Sequence, residues 1–148
     1  MNALPTDPLR ALAALVVKDG VGLGGLPAAQ RALALALVWA GLPAADGLTE
    51  RQVNERLKAQ LAGAAAFLDT DHAELRRWLV DAGWLARDGY GREYRRVALQ
   101  ALQAGHQDVA EPLAGIDVTA WVAELRHAHR VRRDVRRIRW QDGKGAPS

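Results

Sequence analysis

Residues 48–97, LTERQVNERLKAQLAGAAAFLDTDHAELRRWLVDAGWLARDGYGREYRRV, hold two capped helical patterns that lead into a basic hairpin. Thr49 can accept from the Gln52 backbone N–H, Gln52 can reach back to Thr49, and Leu48 and Val53 stand where a hydrophobic staple needs them. A helix is therefore predicted from Thr49, with Val53, Leu57 and Leu61 on its buried face and Arg51, Asn54, Glu55 and Lys58 in water, weakening at Gly63. The next pattern starts at Thr70 or Asp71, either of which can cap. It places Leu75, Trp78, Leu79 and Ala82 on one face and ends at Gly83. Asp71, Glu74, Arg77 and Asp81 fall on the opposite face, the surface a partner would meet. Residues 84–87 and 93–97 are strand candidates around Asp88-Gly89-Tyr90-Gly91-Arg92, whose two glycines are expected to supply the positive φ of a tight hairpin. Helix, helix and hairpin in this order are what a winged helix-turn-helix requires.

Outward from this stretch, Pro27 and the uncharged run through Gly41 predict a buried helix with Leu33, Leu35, Leu37, Val38 and Trp39 packing nearly all round. Leu9, Leu12, Leu15 and Val16 mark an amphipathic helix over residues 6–19. The four glycines of residues 20–25 read as a flexible connector. Residues 98–104 carry a short helical pattern, followed by a loop through Pro112. A last helix is predicted over residues 117–140, capped by Asp117 and stapled by Ile116 and Trp121, with Val118, Trp121, Leu125, Ala128, Val131, Val135 and Ile138 as one apolar stripe. That stripe can fold back on the N-terminal helices or pair with the same helix of another subunit. The expected fold is mainly α with a small β-hairpin. A winged helix-turn-helix core over residues 27–97 would sit in a single domain of residues 1–148, with an N-terminal helix and a long basic helix over residues 117–140.

A chain of 148 residues with 49% hydrophobic content can bury a real core without covalent staples. The absence of cysteine excludes disulfides and thiolate metal sites and fits a cytoplasmic protein. Met1-Asn2-Ala3-Leu4-Pro5 lacks the charged and apolar regions of a signal peptide. The uncharged run over residues 32–42 is well short of the roughly 20 residues that span a bilayer. No membrane partner is expected.

Charge is unevenly spread. Residues 1–125 carry a formal −3, whereas residues 126–148 carry +6. Arg126, Arg130, Arg132, Arg133, Arg136, Arg137 and Arg139 crowd one helix. They can meet nucleic-acid phosphates, because guanidinium forks match phosphate oxygens and release counterions, or they can solubilise a face and complement the helix C-terminus. The hairpin's Arg87, Arg92, Arg95 and Arg96 read as phosphate or minor-groove contacts, or as charges that blunt an exposed strand edge. On the second motif helix, Thr70, His72, Ala73, Arg76 and Arg77 would lie near DNA, with His72 also suited to capping or partial burial. Its acidic N-terminal turn, with Asp69, Asp71 and Glu74, repels phosphate but suits the helix dipole. The candidate nucleic-acid-binding residues are thus Arg76, Arg77, Arg87, Arg92, Arg95, Arg96, Arg130, Arg133 and Arg137.

Thr49-Glu50-Arg51-Gln52-Val53-Asn54, the run from Asp71-His72-Ala73-Glu74-Leu75-Arg76-Arg77 to Trp84-Leu85-Ala86-Arg87, and Gly91-Arg92-Glu93-Tyr94-Arg95-Arg96 resemble bacterial proteins carrying the domain of unknown function 2087. The likeness covers about a third of the chain. It implies a winged-helix-like fold and a transcription-related role, since relatives are sometimes fused to DNA-binding regulators of the arsenic-repressor type.

Catalysis finds little support. His72, His106, His127 and His129 form no His-Glu-x-x-His pattern, no phosphate-binding glycine loop is present, and Ser148 is the one serine. His127 and His129 face different sides of a helix, which disfavours a shared metal. The expectation is a DNA-binding transcriptional regulator without cofactor that binds duplex DNA and pairs with a second copy through its C-terminal helix. The competing reading is a protein-interaction module without direct DNA contact.

Overall fold

The computed structural model describes residues 7–44, 47–90 and 92–145. Met1 to Pro5, the Thr6 start of the first predicted helix, and the hairpin's Gly91 lie outside the described residues. The elements run α1 (Pro8–Val16), α2 (Ala28–Gly41), β1 (Leu48–Thr49), α3 (Glu50–Leu61), α4 (His72–Asp81), β2 (Leu85–Arg87), β3 (Glu93–Arg96), α5 (Ala104–Ala110) and α6 (Val118–Gly145). The chain is mainly helical, with a small three-stranded antiparallel sheet and a long C-terminal helix.

The local start and stop signals act as read. Gln52 N–H donates to Thr49 Oγ1 at 3.1 Å and Thr49 N–H donates to Gln52 Oε1 at 2.9 Å, closing the capping box of α3. Asp71 caps α4 through the Glu74 N–H at 2.8 Å. Gly83, at φ +85°, ends α4 in a Schellman arrangement: its N–H reaches Val80 O, and Trp84 N–H reaches Leu79 O at 2.8 Å. Only glycine enters that backbone region without strain.

α2 is the pillar of the molecule. Leu33 through Trp39 are all buried, so the helix is enclosed on every side. α1, α5 and α6 pack on it, as do α3 and α4. Trp39 leans on Trp84 at 6.1 Å between ring centroids, and its Nε1–H donates to Val97 O at 2.8 Å. The carbonyls that α2 leaves open at its C-terminus are met by Arg96, whose Nη1 donates to Leu42 O at 2.8 Å while the guanidinium lies 4.2 Å over the Trp39 ring. Burial lowers the Arg96 pKa from its ordinary value.

Several elements depart from expectation. β1 was not anticipated; it pairs with β3 through Leu48 and Tyr94, giving the order β1-β3-β2. In the hairpin, Arg87 pairs with Tyr94 and Leu85 with Arg96. Gly89 does not adopt positive φ. The turn is held instead by the Asp88 carboxylate, which accepts from Tyr90 N–H and Arg92 N–H. Residues 20–25 are not a free connector. Val21 bridges to Leu68, Leu23 is buried, and Arg31 binds Leu23 O and Leu26 O. The loop expected before Pro112 contains α5 and a 3-10 turn, Glu111–Leu113.

α6 also corrects the single-stripe reading. At 100° per residue, Val118 and Ile138 lie roughly 160° apart around the helix. Val118 and Val122 are buried and Leu125 half-buried, whereas residues 130–141 are all exposed, including Val131, Val135 and Ile138. The first half docks on the body, fixed by Arg126, which donates to Val16 O at 2.9 Å and pairs with Asp19 at 2.9 Å. The second half projects as an arm.

Two predictions follow from this packing. Arg96→Ala strips a charged hydrogen bond and a ring contact from the end of α2 and is expected to destabilise by about 2 kcal/mol, read as a lower urea midpoint with unchanged slope. His106 stacks on Trp84 at 4.4 Å, and burial lowers its pKa from the ordinary histidine value. The unfolded chain therefore takes up a proton that the folded chain refuses. Stability is full above about pH 6.5 and falls as pH drops below it, and His106→Gln flattens that decline in urea titrations at pH 7.5 and pH 5.

Candidate nucleic-acid interface

The outer face of α4 and the hairpin border a cleft of about 450 Å³ lined by Arg76, Arg77, Val80, Asp81, Arg87 and Tyr94, with Ala73 beside them. Its base is built by the sheet register, which sets Arg87 opposite Tyr94 and turns the Tyr94 ring inward. Arg76 is committed to the scaffold. Its Nη1 donates to Asn54 Oδ1 at 2.6 Å and pairs with Glu50 at 3.1 Å, and its guanidinium lies 5.6 Å over Tyr94. That ties α4 to the first turn of α3 and leaves Arg76 largely neutralised.

Arg77, Arg87, Arg92 and Arg95 are exposed and make none of the three ion pairs among the described residues, which join Arg51 to Glu55, Arg76 to Glu50 and Arg126 to Asp19. Arg87 borders both the cleft and a smaller hollow shared with Arg95, so it links α4 to the outer surface of the sheet. Arg92 sits at the hairpin tip, 5.8 Å over the ring of Tyr90, which is 86% exposed. Arg96, by contrast, points into the body and serves α2, so it is not available to a ligand.

The acidic first turn of α4 is occupied by its own helix. Asp71 accepts the Glu74 N–H, and Glu74 accepts the Thr70 hydroxyl at 2.8 Å. Those carboxylates oppose a polyanion less than the bare sequence suggests, because they are directed at the α4 N-terminus. Ala73 lines the cleft, and His72 is half-buried.

Arg130, Arg133 and Arg137 stand apart from this cluster. Arg130 and Arg133 border a hollow with Val17 and Asp19, and Arg133 and Arg137 share another with Arg136 and Trp140. α3 runs from β1 and the Arg76 contact at one end to Ala62–Gly63, facing α6, at the other. Its 12 residues span about 18 Å. The nine candidate arginines therefore form two groups, at opposite ends of α3, with Arg96 in neither.

Sequence reasoning did not single out Tyr90 or Trp140, and it counted Arg136 among the helix arginines without naming it a candidate contact. An aromatic between two loop glycines was a signal for Tyr90, since nothing within such a turn can bury a ring. For the other two, the helical wheel was the signal, because Trp140 falls among Arg133, Arg136 and Arg137 and off the apolar strip. Among the described residues, no group of three or more histidine, aspartate or glutamate side chains could hold a metal ion, and no helix is long and apolar enough to cross a membrane.

No curated protein and no solved structure matches the chain. Residues 27–96, which run from the head of α2 to the end of β3 and contain the cleft, match one known family. The family that this region matches is described as an uncharacterized protein conserved in bacteria (DUF2087).

Proposed function

We propose that the chain is a non-catalytic, cytoplasmic DNA-binding regulator of winged-helix type. The element order α2-β1-α3-α4-β2-β3, with the sheet ordered β1-β3-β2, supports this reading. In it, α4 takes the recognition-helix slot and the β2–β3 hairpin is the wing. The observation that carries it is the set of exposed, ion-pair-free guanidiniums on α4 and the hairpin: Arg77 and Arg87 line the cleft, Arg95 shares the adjoining hollow with Arg87, and Arg92 stands at the hairpin tip. Arg77 reaches toward the groove, Arg87 and Arg95 meet the flanking phosphates, and Arg92 follows the wing tip. Arg76, braced by Glu50 and Asn54, holds the angle of α4 rather than a base. Arg130, Arg133 and Arg137 add phosphate contacts from the arm, and the partners are duplex DNA and, through α6, a second copy of the chain.

The interaction-module reading has one observation of its own, the exposed apolar residues of the arm. It predicts binding that salt does not weaken. The DNA reading predicts the reverse. About six phosphate contacts give a log–log slope of affinity against salt near −5, measured by anisotropy with a labelled duplex. Arg92→Glu with Arg95→Glu is expected to weaken binding at least ten-fold and to flatten the slope by about two. Arg133→Glu with Arg137→Glu should flatten it further. An affinity unchanged between 50 and 200 mM salt, or indifferent to the hairpin pair, rejects the proposal.

A further inference from the structure

The arm of α6 carries a second pattern that its contacts with the body do not use. Ala128, Val131, Val135 and Ile138 are spaced three, four and three apart, which is an a-d-a-d run of a coiled coil. The strip of Val131, Val135 and Ile138 faces away from the body: its centre lies roughly 140° around the helix from that of Val118, Val122 and Leu125. Val131, Val135 and Ile138 are 46%, 43% and 56% exposed, while Val118 and Val122 are 4% and 1% exposed. Three adjacent aliphatic side chains on a helix otherwise crowded with arginine are costly to leave in water.

The flanks identify what covers the strip. In this register Asp134 and Gln141 occupy g positions, and Arg132 and Arg139 occupy e positions. In a parallel pair, each g residue meets the e residue five positions later on its partner. Asp134 then faces Arg139 of the second helix, twice by symmetry, and the His127–Arg132 pairing adds no attraction. In an antiparallel pair, e residues meet e residues, which would set Arg132 against Arg139. The remaining charges, Arg130, Arg133, Arg136 and Arg137, fall on the outer positions, where they do not oppose one another across the seam.

We infer that two copies of this chain pair through their α6 arms as a short parallel, in-register coiled coil, seamed by Val131, Val135 and Ile138 and oriented by reciprocal Asp134–Arg139 pairs. The bodies lie on the outer flanks, because each α6 docks on its body with the face remote from the seam. The inference rests on the reading that α6 meets a second copy, and it stands without any bound nucleic acid.

The natural lack of cysteine makes the direction directly readable in the full-length protein. In a parallel pair, Val131→Cys and Ile138→Cys each oxidise to self-linked dimers, and a mixture of the two yields no link between 131 and 138. Sedimentation of the oxidant-free protein is expected to show a dimer that Val135→Asp converts to monomer. Asp134→Arg is expected to weaken the dimer about ten-fold, with Asp134→Arg combined with Arg139→Asp returning it to within three-fold of the parent. A monomer at every concentration overturns the pairing itself. Links between 131 and 138, or a charge exchange that fails to restore association, overturn the parallel register. None of these readouts depends on DNA, so they are separate from the failure of the nucleic-acid proposal.

Discussion

A helix with no polar side must be walled in completely, and in this protein that requirement falls on α2. From Leu33 to Trp39 every residue is buried, and the rest of the chain is arranged as its enclosure, with α1, α5 and α6 among the walls and α3 and α4 completing them. The small sheet closes the end of α2 through Trp84, Val97 and Arg96. The position of α4 relative to the hairpin, and hence the cleft between them, follows from where each must sit to shield α2.

Three arginines do work that the charge count hides. Arg31 binds the carbonyls of Leu23 and Leu26, Arg96 those at the end of α2, and Arg126 those just at and after the end of α1. A guanidinium can serve several carbonyls at once, which suits it to helix ends that would otherwise be desolvated without partners. In sequence these residues are indistinguishable from the exposed arginines beside them. Arg95 and Arg96 are neighbours, yet strand alternation sends one to solvent and the other under the sheet.

What was legible in the sequence was local. The Thr49–Gln52 box, the Asp71 cap and the Gly83 stop involve groups within a few residues of one another, and the all-apolar face of α2 needs no partner to be recognised. What was illegible depended on distance or on accumulated angle. β1 is two residues long and exists because Tyr94 lies beside Leu48. α5 presents only Val109 and Ala110 to the core, too few for a period, and relies on α2 for its burial. The α6 stripe looked continuous because each step was three or four residues, while the small angular error of each step accumulated until the two ends faced opposite ways. Of the candidate site, the exposure of Arg77, Arg87, Arg92 and Arg95 was readable. The loss of Arg96 and the bracing of Arg76 were not, since one depends on a backbone carbonyl and the other on a side chain more than 20 positions away.

The link between Val21 and Leu68 has a mechanical consequence. Val21 N–H donates to Phe67 O and Asp69 N–H donates to Val21 O, so the segment between α1 and α2 is stitched to the chain just before α4 begins. Arg126 clamps the end of α1 to α6. α6, the segment after α1 and the chain just before α4 are thus joined in one hydrogen-bonded series, and none of the three can part from the next without breaking bonds.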